Sequence, residues 1–181
     1  MGQRSDSGGG NKSHSEHYEA TRNGEHLRDP YILPNAFSEN NICPVCNAVY
    51  HKKHWSFDPS LVHEARKDKN AKADKCPACR KVEDKYAMGK VFLSGSFINE
   101  HVDELINIIK SEERRAKENN PLDRLILIEK RDGNIYAETT SDALAMRIGH
   151  HLKESYKGGD ENFKFRRGDK FVEVHWQREI L

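Results

Sequence analysis

Residues 42–55 read ICPVCNAVYHKKHW and residues 75–86 read KCPACRKVEDKY. The Cys-Pro-Xaa-Cys pattern occurs in both and accounts for all four cysteines of the chain, Cys43, Cys46, Cys76 and Cys79. Two cysteines separated by two residues let the backbone between them curl until both sulfurs face one ion, and a structural zinc ion takes four such ligands. Pro44 and Pro77 pre-set φ for the turn. If each pair forms a knuckle, the residue after its second cysteine enters the left-handed region. Asn47 tolerates that conformation, whereas Arg80 is strained by it. The expectation is one structural Zn2+ held by two knuckles, a zinc ribbon.

Other uses of paired cysteines fit less well. No stretch of the ~18 apolar residues needed to cross a bilayer occurs, and the first residues, MGQRSDSGGGNKSHSEHYEATRNGEH, lack the apolar run of a signal peptide. The chain is therefore expected to be soluble and cytoplasmic with no membrane partner, and there disulfides are rare. A redox dithiol calls for a βαβ surround that neither pair has. A zinc deaminase needs His-Xaa-Glu followed by Pro-Cys-Xaa-Xaa-Cys, but His63 abuts Glu64 and Lys75 precedes Cys76. His51 and His54 stand near the first pair and are read as non-ligands.

Of 181 residues, 33% are charged and 35% hydrophobic, and mean hydropathy is −0.91. Such a chain supports one modest core and a small metal-stabilised module. Residues 1 to about 28 hold almost nothing apolar and are expected to be disordered. DPYILPNAF, residues 29–37, is a short apolar arm that either packs on the body or docks a partner; together these residues make a tail over 1–40. The zinc module then spans residues 41–95. Its inter-pair segment of 29 residues has room for a short basic helix opening at Pro59 and Ser60, with Leu61, Ala65 and Lys69 on one side.

GKVFLSG, residues 89–95, reads as a strand or turn entering a connecting helix over 96–121. Ile98, Val102, Leu105 and Ile109 form the apolar stripe of that helix, and its polar second half is expected to face solvent or link two modules. Residues 122–181 read as hairpin, helix, hairpin. Asp132-Gly133 and Gly168-Asp169 supply the turns, and Ser141 caps a helix whose buried stripe is Leu144, Ile148 and Leu152, with Gly158 as its stop. The fold class is thus α+β: a four-cysteine zinc ribbon, a long helix, and a small α+β domain with an antiparallel sheet.

Net charge is +1, but residues 43–90 hold eleven Lys and Arg against six Asp and Glu. Lys52, Lys53, Trp55, Arg80, Lys81 and Lys85, interleaved with Tyr50 and Tyr86, are candidate RNA contacts of the ribbon. Lys164, Arg166, Arg167 and Lys170, beside Phe163 and Phe165, form a second candidate set on the last hairpin. The plainer reading of each is a ribbon core filled by its rings and a strand with one wet face.

Taken with their order and spacing, CPVCNAVYHKKHW, CPACRKVEDKY, GKVFLSGSFINEHVDELINIIKSEERRA, NPLDRLILIE and AETTSDALAMRIGHHLKESYKG resemble a family of bacterial zinc-ribbon proteins related to the Nmd-three adaptors of the large ribosomal subunit. The resemblance runs over about residues 40–178. It implies association with the ribosome or ribosomal RNA through the zinc module and the α+β domain. The adaptors carry further cysteine pairs and domains that this chain lacks, so their export role is not implied.

A site with four protein thiolates leaves no open position for water or substrate. The chain also lacks a Gly-rich phosphate loop with its lysine and a serine elbow. The expected function is therefore non-enzymatic: binding RNA or the ribosome as a translation- or stress-associated factor. A protein–protein adaptor using the same two surfaces is the alternative.

Overall fold

A computed structural model describes residues 19–22 and 25–180 of the chain. The architecture is α+β, as expected. Two short strands, β1 (Glu19–Arg22) and β2 (Glu25–Arg28), pair antiparallel inside the segment expected to be disordered; residues 1–18 and 23–24 of that segment lie outside the described residues.

Three further short strands form an antiparallel sheet: β3 (Asn41–Ile42), β4 (Val49–His51) and β5 (His54–Ser56). The β4–β5 turn is Lys52-Lys53, both with positive φ, 47° and 66°. That is the twist a two-residue hairpin turn demands, reached here without glycine. Helix α1 (Pro59–Lys67) is capped by Asp58, whose carboxylate accepts the Ser60 N–H at 2.7 Å. Ala65 is its buried residue, and it ends before Lys69. Helix α2 (Pro77–Asp84) begins at Cys76 and closes on Lys85 in the left-handed conformation.

The remaining elements build the body: β6 (Gly89–Ser94), α3 (Phe97–Asn119), β7 (Leu125–Arg131), β8 (Asn134–Thr139), α4 (Asp142–Ser155), β9 (Asp160–Phe165) and β10 (Val172–Gln177). Their strands form one sheet in the order β7-β8-β6-β10-β9. The expected hairpin, helix and hairpin are present. Asp132 and Gly133 turn at φ 50° and 78°, Ser141 Oγ accepts the Leu144 N–H at 3.2 Å, and Leu144, Ile148 and Leu152 are fully buried.

Two features differ from the sequence reading. First, β6, read there as the end of the metal module, is the centre strand of the body. It pairs antiparallel with β8 and parallel with β10, so the sheet is mixed rather than antiparallel. Its first residue explains the close fit: a Cβ on Gly89 would stand 2.4 Å from Thr139 Oγ1 and 2.5 Å from Ala145 Cβ. Second, α3 is a core helix along its length rather than a connector. Phe97, Ile98, Leu105, Ile109 and Ala116 all join the core, and Glu112 in its polar half is buried against α4. There the Glu112 carboxylate sits 2.5 Å from His151 Nδ1 and accepts from Arg115 Nη1 at 2.8 Å, with Arg147 Nη2 at 3.6 Å. A buried carboxylate needs such partners, and most of these come from a helix some 35 to 39 residues away.

Both helices pack on one face of the sheet, against Val91, Leu93, Ile135, Ala137, Val172, Val174 and Trp176. Strand residues alternate between faces, so the opposite face carries Lys90, Phe92, Tyr136, Glu138 and His175. It is open: the Lys90 and His175 side chains keep 39% and 38% of their surface.

Candidate metal centre and its surroundings

Cys43 and Cys46 sit on a knuckle between β3 and β4. The Cys43 N–H donates to the Ala48 carbonyl at 2.8 Å, the Asn47 N–H donates to the Cys43 carbonyl at 2.9 Å, and Asn47 takes φ 63°. The other pair does not form a knuckle. Cys76 is the N-cap of α2, Pro77 opens the helix, and Cys79 stands in its first turn with its N–H donating to Cys76 Sγ at 3.4 Å. Arg80 is consequently helical and escapes the strain expected of it. The arrangement is one knuckle facing one helix start, in place of the two knuckles of the sequence reading. Proline suits both geometries, since its fixed φ serves a turn and a first helical residue alike.

All four Sγ atoms lie within 4.8 Å of one another, and none is in a disulfide. Cys46 and Cys76 are 3.8 Å apart, which is the edge of a tetrahedron with metal–sulfur bonds of about 2.3 Å. Four cysteines so placed can hold one metal ion. Donors surround the sulfurs: the Cys76 N–H points at Cys43 Sγ at 3.3 Å, and Arg124 Nη1 at Cys79 Sγ at 3.7 Å. Among the thiols, the hydrogen bond with Cys76, aided by the Arg124 charge, draws Cys46 down to about 4. The same bond, with burial, pushes Cys76 up, while burial and the negative charge on Cys46 push Cys79 up to about 12. Burial works against the Arg124 guanidinium, but the cysteines outweigh it and hold its pKa above the ordinary value.

A small core closes over the site. Ala48, Trp55, Ala78 and Leu122 are buried with the cysteines, and Phe37 of the apolar arm meets Trp55 edge-on at 4.9 Å. The arm therefore packs. It is fixed at its start by Asp29, whose carboxylate pairs with the Lys81 ammonium.

The basic candidates separate into surface and core. Lys52 and Lys53 are exposed at the β4–β5 turn, Arg80 is exposed beside Phe37, and Lys85 is exposed at the end of α2. Lys164, Arg166 and Arg167 are exposed and Lys170 is half-buried, 3.9 Å from Asp142. Two candidates belong to the core and must be corrected. Trp55 is 5% exposed and fills the module, and Lys81 is 3% exposed. The Lys81 ammonium donates to Asp29, to the Thr140 carbonyl at 2.8 Å and to Met88 Sδ. Its neighbours in sequence gave no sign of this, because the partners lie 52 and 59 residues away.

Folding brings together Lys85 of the first set with Arg166 and Lys170 of the second, while Lys52, Lys53, Arg80, Lys164 and Arg167 do not line the same cleft. Lys85 and Tyr86 from the end of α2, Lys90 from β6, and Arg166, Lys170 and Phe171 from the β9–β10 connection line one cleft of about 220 Å³. Glu138 and Asp169 also reach it, pairing with Lys90 at 3.1 Å and Arg166 at 3.1 Å. Arg166 lies over the Phe171 ring at 4.0 Å. A residue that sequence reasoning missed is Arg124, a lone cation in NPLDRLILIE whose link to Cys79 spans 45 residues.

The cysteines are the one metal-ligand cluster among the described residues, and no helix there is long and apolar enough to cross a membrane. No family model, curated protein or solved structure matches the chain.

Proposed function

We propose that the ion is zinc and structural, and that the chain is a non-enzymatic RNA-binding protein whose target lies on ribosomal particles. Four thiolates complete a tetrahedral zinc shell, leaving the ion nothing to activate. The observation that carries the RNA reading is the cleft at the end of α2, where Lys85 from the first sequence cluster, Arg166 and Lys170 from the second, and Lys90 meet two carboxylates beside Tyr86 and Phe171. Cations next to ring faces suit phosphate and base together. The resemblance of residues 40–178 to the Nmd-three-related family points to the ribosome as the RNA's source.

Three to four phosphate contacts make binding to single-stranded RNA fall about 20- to 50-fold between about 50 and about 200 mM salt. Fluorescence anisotropy with labelled ribosomal RNA fragments measures this, and Lys85→Glu with Arg166→Glu should flatten the slope. Sedimentation of cell lysate tests the target: the protein should travel with ribosomal particles at low salt and leave them at high salt. A protein that binds no RNA and stays at the top of every gradient would end this reading. The adaptor reading has its own observation, a largely apolar pocket of about 270 Å³ between the arm and the metal module, lined by Ile32, Leu33, Pro34, Phe37 and Trp55. Partner binding there would be almost insensitive to salt.

A further inference from the structure

We propose that the open face of the five-stranded sheet is a stacking platform for single-stranded RNA bases, centred on Phe92, His175 and Tyr136. This rests on the RNA reading above and adds to it the part of the molecule that would meet the bases. The register sets the geometry. Phe92 lies directly opposite His175 of β10 on one side and Tyr136 of β8 on the other. The row continues to Glu129 of β7 and Asn162 of β9. Five neighbouring strands thus contribute one straight row of side chains across the sheet, with three rings at its centre.

The rings are arranged for stacking. Phe92 and His175 already lie face to face, 4.8 Å between centroids and 18° between planes. A base that continues this pair comes to rest over Asn162, whose amide offers both a donor and an acceptor to a base edge. Tyr136 stands edge-on to Phe92 at 5.5 Å, with the Arg131 guanidinium 5.1 Å above its ring. Adjacent strands are about 4.8 Å apart, so the three rings span roughly 10 Å, and because Phe92 and His175 turn their inner faces to each other, the outer face of His175 is the one that receives a base.

The adjoining basic cleft points to the occupant. The next row along the strands runs Glu138, Lys90, Glu173, Lys164, and Lys90 with Glu138 also lines the basic cleft. The platform therefore opens at one end into Lys85, Arg166 and Lys170, with Arg131 at the far end of β7. A strand whose phosphates enter the cleft would carry its bases onto the rings. Around the rings themselves Lys90 pairs with Glu138 and Arg131 with Glu129, so the phosphates are left to the cleft and the platform takes only the bases.

The test uses the full chain with its metal bound and two labelled probes, a single-stranded oligouridylate of about twelve nucleotides and a duplex RNA of the same length. The wild type should prefer the single strand. His175→Leu, at a side chain already 38% exposed, should weaken single-strand binding about tenfold and leave the salt slope unchanged. Duplex binding should stay as it was, which certifies the fold in the same sample. Phe92→Leu removes the ring behind His175 and should weaken the single strand by a smaller factor. Thiouridine placed in the probe should crosslink to β6 or β10. Equal binding of single strand and duplex by the wild type, or an unchanged single-strand affinity in His175→Leu, overturns the platform while leaving the cleft standing. Failure of both probes to bind overturns the RNA reading itself. A concentration-dependent dimer that His175→Leu abolishes would give the face to a second copy of this chain and likewise overturn the proposal.

Discussion

Among the described residues, the body buries sixteen side chains in one core, while the metal module closes on seven, three of them cysteines and one, Leu122, lent by the body. Fully burying a Leu, Ile or Val contributes about 1.5–3 kcal/mol, so the body has the means to fold by itself. The module does not, and under the proposed zinc reading its fold would be coupled to the ion. Removing the metal should therefore separate the two regions. Structural zinc binding in small modules is worth about 10–16 kcal/mol near neutral pH, more than the module's rings can supply. With chelator, amides of Val49, Tyr50 and Trp55 should lose hydrogen-exchange protection while those of Val91, Val174 and Ile148 keep theirs. Uniform loss in both regions would break the comparison, and so would full protection throughout.

The seam between the regions is held by a buried ion pair. Lys81 leaves the module to reach Asp29 of the arm and the Thr140 carbonyl of the body. Lys81→Met strands a buried carboxylate and should cost about 3–5 kcal/mol in denaturant unfolding. Adding Asp29→Leu removes the stranded charge and should recover most of that loss. If the double variant is no better than the single one, the pair is not what joins arm, module and body.

Arg124 sharpens the comparison at smaller scale, since it is a body residue that donates to a module ligand. Partners of this kind tune a metal site by about 10- to 100-fold in affinity. Arg124→Met should release metal to a chromophoric chelator at correspondingly lower concentration, with the body's stability little changed. Equal affinity in variant and wild type would show that the module holds its ion unaided.

Local signals in the sequence were legible wherever the cause is local. The cysteine spacing, the left-handed Asn47, the Asp132-Gly133 turn, the Ser141 cap and the stripe of Leu144, Ile148 and Leu152 each depend on a few adjacent residues. What the sequence hid depends on distant partners. The parallel pairing of β6 with β10 joins residues 83 apart in sequence, such as Glu173 and Lys90, with no turn between them to announce it. Lys81 reads as a surface cation until Asp29 is brought to it, and Glu112 reads as a solvent-facing residue until α4 arrives. The second cysteine pair was legible as a ligand pair but not as a helix start, because Cys-Pro-Xaa-Cys satisfies both. The open face was hidden in the same way: Phe92, Tyr136 and His175 stand in three separate segments, and only the strand register aligns them.

The mildest expected effect concerns Asp123, which lies at the seam just before Arg124. Burial raises its carboxyl pKa above the ordinary value of 3.8, against the pull of Ser141 and of the Arg147 and Lys170 charges. Between 3.8 and that raised value the folded protein holds the proton and the unfolded chain releases it. The group's contribution is thus full below this window, and stability falls as pH rises through it. Asp123→Asn carries no such proton, so its unfolding midpoint should gain on the wild type as the pH climbs from acid toward neutral. Parallel midpoint curves for the two proteins would mean that Asp123 ionises in the folded state as readily as in water, and that the seam is wetter than its burial implies.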